Sequence, residues 1–313
     1  ARRALSIDLD ESKHRSSTDV SGPKHWINIL CKFADDGVEP QGSSYFQDGL
    51  FGSEYPGMDH YWREVSYDTV SITSATAGWY TLPHPRSYYV DDDAEDGRGA
   101  DLDALLSDCG ALADIDLGGA EGLNLMFNLD LDCCAWGGQA CIYESWLSGW
   151  CGSVTWEPPW GYQSQTVMAH EMGHGFGLPH SNNSDGDDDP YDNPWDVMSD
   201  TWSFAGWVPP YGSIGQHTIG YHKRSLGWIP DADVFTFGGG VQTIELERLA
   251  QPIGNGYLMA VIPVDQTRYY TVEARANVGY DVHLPGAGVI IHEIDTNRWE
   301  PAWLVQEFPG RLI

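Results

Sequence analysis

The run His170-Glu171-Met172-Gly173-His174-Gly175-Phe176-Gly177-Leu178-Pro179-His180 constrains this chain more than any other stretch. On a helix, His170 and His174 leave the same face one turn apart, so both ring nitrogens can reach one ion. The expected ion is Zn²⁺, at about 2.0–2.1 Å from each nitrogen. Glu171 is one step round from the first histidine, where a carboxylate can hydrogen-bond a water without occupying the ion. Gly177 can end the helix with a sharp turn. Pro179 discourages any return to helix, and His180 comes back as the third ligand. Three protein ligands leave a fourth position open, the pattern of a catalytic and not a structural zinc site.

A chain of 313 residues can bury a sizeable core and hold a large domain with a smaller one. With 16 Lys and Arg against 46 Asp and Glu, the net charge of −30 argues against nucleic acid or an anionic membrane as partner. No apolar run approaches the length of a membrane span. The 14 Trp and 16 Tyr mark a folded protein, not a disordered acidic chain. Six cysteines, Cys31, Cys109, Cys133, Cys134, Cys141 and Cys151, imply two or three disulfides and an oxidising, extracellular compartment. The adjacent Cys133 and Cys134 are expected to bond to separate partners and not to each other. Cys31, in an apolar strand-like run, is a candidate buried free thiol. A secreted protein of this kind is expected to begin after a removed signal, and its natural form is expected to extend past Ile313.

Periodicity divides the rest. Residues 1–24 read as a polar arm or the remnant of a pro-segment. Residues 25–33 read as a first strand, 58–65 as a short helix, and 70–73 and 78–82 as strands. A helix over about 100–113, an apolar strand over 123–129, a Cys-rich loop over 133–151 and an edge strand over 153–156 follow. The active-site helix is expected over about 163–176. Residues 181–192 hold Asp185, Asp187, Asp188, Asp189 and Asp192 among amides and Gly186, a composition suited to Ca²⁺. The pattern 217–230 reads as a second helix, on which His217 and His222 are packing residues and not ligands. Beyond residue 230 the pattern turns to period two, with strands over 234–237, 241–246, 257–264, 269–274 and 288–294, which indicates an all-β module.

The run over 170–180 resembles the metzincin metallopeptidases, and Asn193-Pro194-Trp195-Asp196-Val197-Met198-Ser199 resembles the Met-turn of that group. More narrowly, HYWREVSYDTVSITSATAGWYTLP at 60–83, the helix ending in Leu226-Gly227-Trp228-Ile229, and YYTVEARANVGYDVHLPGAGVIIHEID at 269–295 resemble secreted bacterial peptidases similar to immune inhibitor A. The third ligand position there often carries Asp, whereas here it is His180. The resemblance implies an α+β chain. A metzincin-type catalytic domain over 25–229 would carry a twisted mixed sheet and an active-site helix. Its upper subdomain would reach about residue 174 and a small lower one would cover 175–229, followed by a β-rich domain over 230–313. It also implies that Met198 forms an apolar floor beneath the ligands, and that an edge strand above the cleft holds extended protein or peptide substrate. Position 200, where some metzincins place a tyrosine ligand, is Asp200, so no tyrosine is expected to act from there. The expected activity is that of a secreted zinc endopeptidase, with His170, His174 and His180 as ligands and Glu171 as general base. Completion of the site by a downstream Glu fits Gly177 and His180 poorly. The rival from another class is a secreted Ca²⁺-dependent binding or adhesion protein with a vestigial peptidase site.

Overall fold

A computed structural model describes residues 19–312 except 96, 118, 143–149, 188 and 308–310. Residues 1–18 of the expected N-terminal arm, and Asp188, therefore lie outside the described residues. The first sheet has five strands: β1 (Gly22–Lys32), β2 (Val70–Thr81), β3 (Gly122–Phe127), β4 (Trp136–Ile142) and β5 (Trp150–Glu157), in the order β2-β1-β3-β5-β4. All neighbours run parallel except β4, which is antiparallel to β5. Parallel strands covered on both faces read as unbroken apolar runs, and Trp26 to Cys31 of β1 are all buried. The two segments expected over 70–73 and 78–82 form the single strand β2. The expected edge strand over 153–156 lies inside the sheet as β5. The edge on that side, β4, falls in the stretch read as a Cys-rich loop, whose glycines and cysteines hide its alternation.

Alternate residues of these strands feed two cores. Ile27, Ile29 and Cys31 face the helix α2 (Leu102–Leu112), packing with Leu102, Leu105 and Leu106. Trp26, Leu30 and Met126 face the other way, against Trp62 of α1 (Met58–Val65) and Met168 and Met172 of α3 (Gln165–Gly175). On that second face a row of polar groups, buried except for the half-buried Thr76, crosses four strands. Asn28 Nδ2 donates to Thr76 Oγ1 at 3.1 Å, Asn124 Nδ2 to Asn28 Oδ1 at 2.8 Å, and Thr155 Oγ1 to Asn124 Oδ1 at 2.9 Å.

All six cysteines are bonded, contrary to two expectations. Cys31 of β1 meets Cys109 of α2 across the core, so it is not a free thiol. Cys141 and Cys151 stand opposite each other on β4 and β5 and are joined. With those partners taken, Cys133 and Cys134 bond to each other, not to separate partners.

The second sheet has six strands in the order β6-β11-β10-β9-β8-β7: β6 (Asn182–Asn183), β7 (Val234–Thr236), β8 (Met259–Pro263), β9 (Arg268–Arg275), β10 (Gly288–Asp295) and β11 (Ala302–Leu304). Residues 241–246, expected as a strand, form none: Val241 is fully exposed and only Leu246 makes an isolated bridge. The helix expected over 217–230 is shorter, α4 (Gly220–Ser225). β6 comes from the acidic stretch after His180, yet it pairs with β11 in this sheet, Asn182 beside Trp303 and Asn183 beside Leu304. Among the described residues no helix is long and apolar enough to cross a membrane.

Buried charges lock the two sheets' surroundings together. Arg275 of β9 donates to Asp281 Oδ1 at 2.8 Å, to Glu273 Oε1 at 3.0 Å and to the Trp195 carbonyl at 2.6 Å. Lys223 of α4, wholly buried, donates to the Val65 carbonyl at 2.7 Å and to His217 Nδ1 at 2.8 Å. His217 Nε2 then donates to Glu64 Oε1 at 3.1 Å, a tautomer assigned by the flanking ammonium. Removing one partner of a buried ion pair strands the other's charge. Arg275→Ala should therefore cost about 3–5 kcal/mol in urea unfolding, whereas a loss below about 1 kcal/mol would show that the network is solvated.

Candidate metal centre

Helix α3 ends where its sequence directs. Gly177 takes φ of +92°, a backbone conformation that residues carrying a Cβ rarely adopt. The Gly177 N–H bonds the His174 carbonyl at 2.8 Å and the Leu178 N–H bonds the Gly173 carbonyl at 3.0 Å, a Schellman closure. This turn points the Leu178 carbonyl back at His174 Nδ1, 2.8 Å away. It also brings His180 round, so that the Nε2 atoms of His170, His174 and His180 all lie 3.1 Å from one another.

A second turn orients the first histidine. Asp196 Oδ1 accepts from the Met198 N–H at 3.0 Å and from the Thr218 hydroxyl at 2.8 Å, while Asp196 Oδ2 lies 3.1 Å from His222 Nδ1. Burial pushes the Asp196 carboxyl up, but the charge and hydrogen bonding of His222, with the Met198 amide and Thr218, outweigh it and hold the group ionised. The turn so fixed presents the Val197 carbonyl to His170 Nδ1 at 2.8 Å. Met198 is buried beside Met172 and Leu178, on the apolar side of the same site. His217 and His222 are buried in the surrounding network and stand outside the histidine cluster.

The tautomers follow from these partners. A carbonyl only accepts, so Nδ1 of His170 and of His174 carries the proton and each Nε2 is a bare lone pair. His180 Nδ1 faces the Glu300 carboxylate at 3.7 Å, which favours the same state. Burial and the neighbouring imidazoles push His170 down to about 3 and His174 far below its ordinary range, so protons do not fill the gap. Three lone pairs at 3.1 Å suit a cation. They are close to the edge of about 3.3 Å expected of a tetrahedron with Zn–N bonds of about 2.05 Å. The donor set and its spacing thus fit Zn²⁺.

Glu171 is 7 % exposed, and burial pushes its carboxyl up to about 8. A neighbouring dication favours the charged form, so the two influences oppose each other around neutral pH. β4 passes directly over it: a Cβ on Gly137 would stand 2.2 Å from the Glu171 carbonyl oxygen. Gln139 of β4 and Ser153 of β5 also bond the Gly175 carbonyl, at 3.3 and 2.6 Å, fixing the helix end to the sheet.

Three residues here carried no signal in the sequence reading. Glu157, at the end of β5, is wholly buried with no hydrogen-bond partner for either carboxyl oxygen among the described residues; burial and the charge of Glu171 push it up. Tyr191, inside the acidic loop, sets its ring edge-on to that of His180 at 5.1 Å and tilted to that of His170 at 6.2 Å. Glu300 comes from the far end of the chain. Asp200 caps the amides of Trp202 and Ser203 at 2.9 Å each, so the tyrosine near the histidines belongs to another loop.

The acidic loop is a spiral of side-chain turns. Asn183, Asp185, Asp187 and Asp189 each accept from the N–H two residues on. Carboxylate oxygens of Asp185, Asp187 and Asp192 come within 4.8 Å of one another, whereas Asp189 is not part of that group.

No protein-family model matches the chain, and no curated protein matches it. Among solved structures, archaemetzincin from Methanopyrus kandleri is similar over 65% of this chain and 94% of that one, at 16% identity and a TM-score of 0.32. A likeness this slight leaves the reading of the site to its own residues. The turn at Gly177 yields a direct test. Gly177→Ala should cost at least about 1–2 kcal/mol from the misplaced Cβ, and should weaken retention of zinc against a chelator. Unchanged retention would mean that the turn does not place His180.

Proposed function

We propose that this chain is a secreted zinc-dependent endopeptidase of the metzincin type, similar to the immune inhibitor A-like peptidases, with His170, His174 and His180 as zinc ligands. The observation that carries the reading is the convergence of three Nε2 lone pairs at 3.1 Å with Glu171 beside them on the same helix. Zinc, when bound, would supply a Lewis acid for the scissile carbonyl and bring the pKa of a water from about 15.7 towards 7.

The chain's own groups do the rest. The Glu171 carboxylate accepts a proton from the attacking water as the new C–O bond forms. It then delivers that proton to the amide nitrogen as the C–N bond breaks. The carbonyls of Val197 and Leu178 keep two of the imidazoles in the state that presents Nε2 inward. β4 ends the sheet and lies over Glu171, so its outer edge is suited to receive an extended peptide by strand addition. Three disulfides suit an extracellular site of action. The proposal retains the division into a catalytic domain over 25–229 and a β-rich domain over 230–313.

Calcium at the acidic loop belongs to the same proposal. Burial first, then the charges of Asp185, Asp187 and Asp189, push Asp192 up to about 7. A carboxyl raised from its ordinary value of 3.8 contributes stability that is present below that value and lost as pH rises through about 7. A bound dication would reverse this.

Cleavage of casein or gelatin should stop with 1,10-phenanthroline and return with Zn²⁺. Glu171→Gln should keep stoichiometric zinc while kcat falls roughly 10²–10⁴-fold; near-native proteolysis by that variant would remove Glu171 as the base. If the protein retains zinc but cleaves nothing, it is a binding protein with a vestigial site. For calcium, the expected rise in Tm on adding Ca²⁺ is larger at pH 8 than at pH 5, and equal or absent shifts would dispose of the calcium site.

A further inference from the structure

Two of the three histidines are oriented by main-chain carbonyls from the turns nearest to them, Val197 for His170 and Leu178 for His174, both at 2.8 Å. Among the described residues, no carbonyl does the same for His180. The group facing its Nδ1 is Glu300 Oε1, 3.7 Å away, from the segment that leads into β11. Both side chains are about four-fifths shielded, at 20 % and 18 % exposure. The other oxygen of Glu300 is held by Asn182 Nδ2 at 3.3 Å. Asn182 is in β6, and β6 pairs with β11 through Asn182–Trp303 and Asn183–Leu304. The register of that short parallel pair therefore sets where Glu300 stands relative to His180. Arg298, two residues before Glu300, is turned to Glu293 and lies 4.0 Å over the Trp303 ring. Its charge is already matched there, which leaves the Glu300 carboxylate for the imidazole.

We propose that Glu300 is a positioning residue for His180, so that the last strands of the second sheet complete the metal centre. This rests on the zinc reading above. At 3.7 Å the pair has ion-pair and not hydrogen-bond separation. Its effect is that of a nearby negative charge: it favours the tautomer with the proton on Nδ1, which turns the Nε2 lone pair inward. A carboxylate behind a metal-bound imidazole typically changes metal affinity by about 10–100-fold. No sequence motif announces such a residue, because its place depends on the pairing of two short strands far apart in the sequence.

The test measures zinc affinity of the full chain by competition with a chromophoric chelator, together with the visible spectrum of the Co²⁺-loaded protein. Glu300→Ala should bind zinc roughly 10–100-fold more weakly. Glu300→Gln, which keeps the shape and loses the charge, should weaken it several-fold. It should also shift the Co²⁺ bands, while the Tm of the metal-free protein stays unchanged. Asp265→Asn, in the exposed turn between β8 and β9 and paired with Arg268, should match the wild type in both. Should Glu300→Ala fail to fold, the Gln variant decides alone. Wild-type zinc affinity and an unaltered Co²⁺ spectrum in Glu300→Gln would overturn the proposal and leave the peptidase reading standing. A wild-type protein that holds no zinc would overturn both.

Discussion

Three imidazole lone pairs held 3.1 Å apart repel one another unless a positive charge sits between them, and much of the molecule is arranged to keep them there. Each ring is oriented from behind by a different part of the chain. The helix's own closing turn serves His174, the turn at 196–199 serves His170, and the strand pair β6–β11 brings Glu300 to His180. Those supports are in turn fixed by buried groups: Asp196 by Thr218 and His222, and the Trp195 carbonyl by Arg275. The cluster is thus the meeting point of elements that are remote in sequence.

Much of this was legible in the sequence because it depends on local rules. The spacing of His170 and His174, the turn at Gly177 and the return at His180 follow from helix geometry and the freedom of glycine, and α1 falls on Met58–Val65 as its pattern predicts. The period-two segments beyond residue 230 become β7 to β10, apart from 241–246. What escaped the reading depends on pairing across long separations. β4 looks like a loop because Gly137 and Gly138 interrupt its alternation; it becomes a strand only through its register with β5. Cys133 and Cys134 look destined for separate partners until the fold commits the other four cysteines. Glu300, Tyr191 and Glu157 reach the site by tertiary placement alone.

The acidic surplus is unevenly used. Arg275 and Lys223, two of the few cations, are buried at the joints between elements and surrounded by Asp281, Glu273 and Glu64. Burial draws Lys223 down to about 7, so this joint includes a lysine near its titration point. The negative charge left over is concentrated on exposed positions such as Asp185, Asp187 and Asp189, where it repels itself and favours solubility.

The row Thr76–Asn28–Asn124–Thr155 has a consequence for how the first sheet assembles. Parallel strands rich in Val, Ile and Leu are nearly interchangeable under sliding, since one apolar residue packs about as well as the next. A slip by a single position would turn these amides and hydroxyls toward the α2 side and bury them among leucines with nothing to bond, at about 1–3 kcal/mol apiece. The row therefore does less to strengthen the correct alignment than to make every misaligned one expensive, and its last member stands on β5, the strand whose Ser153 holds the end of α3.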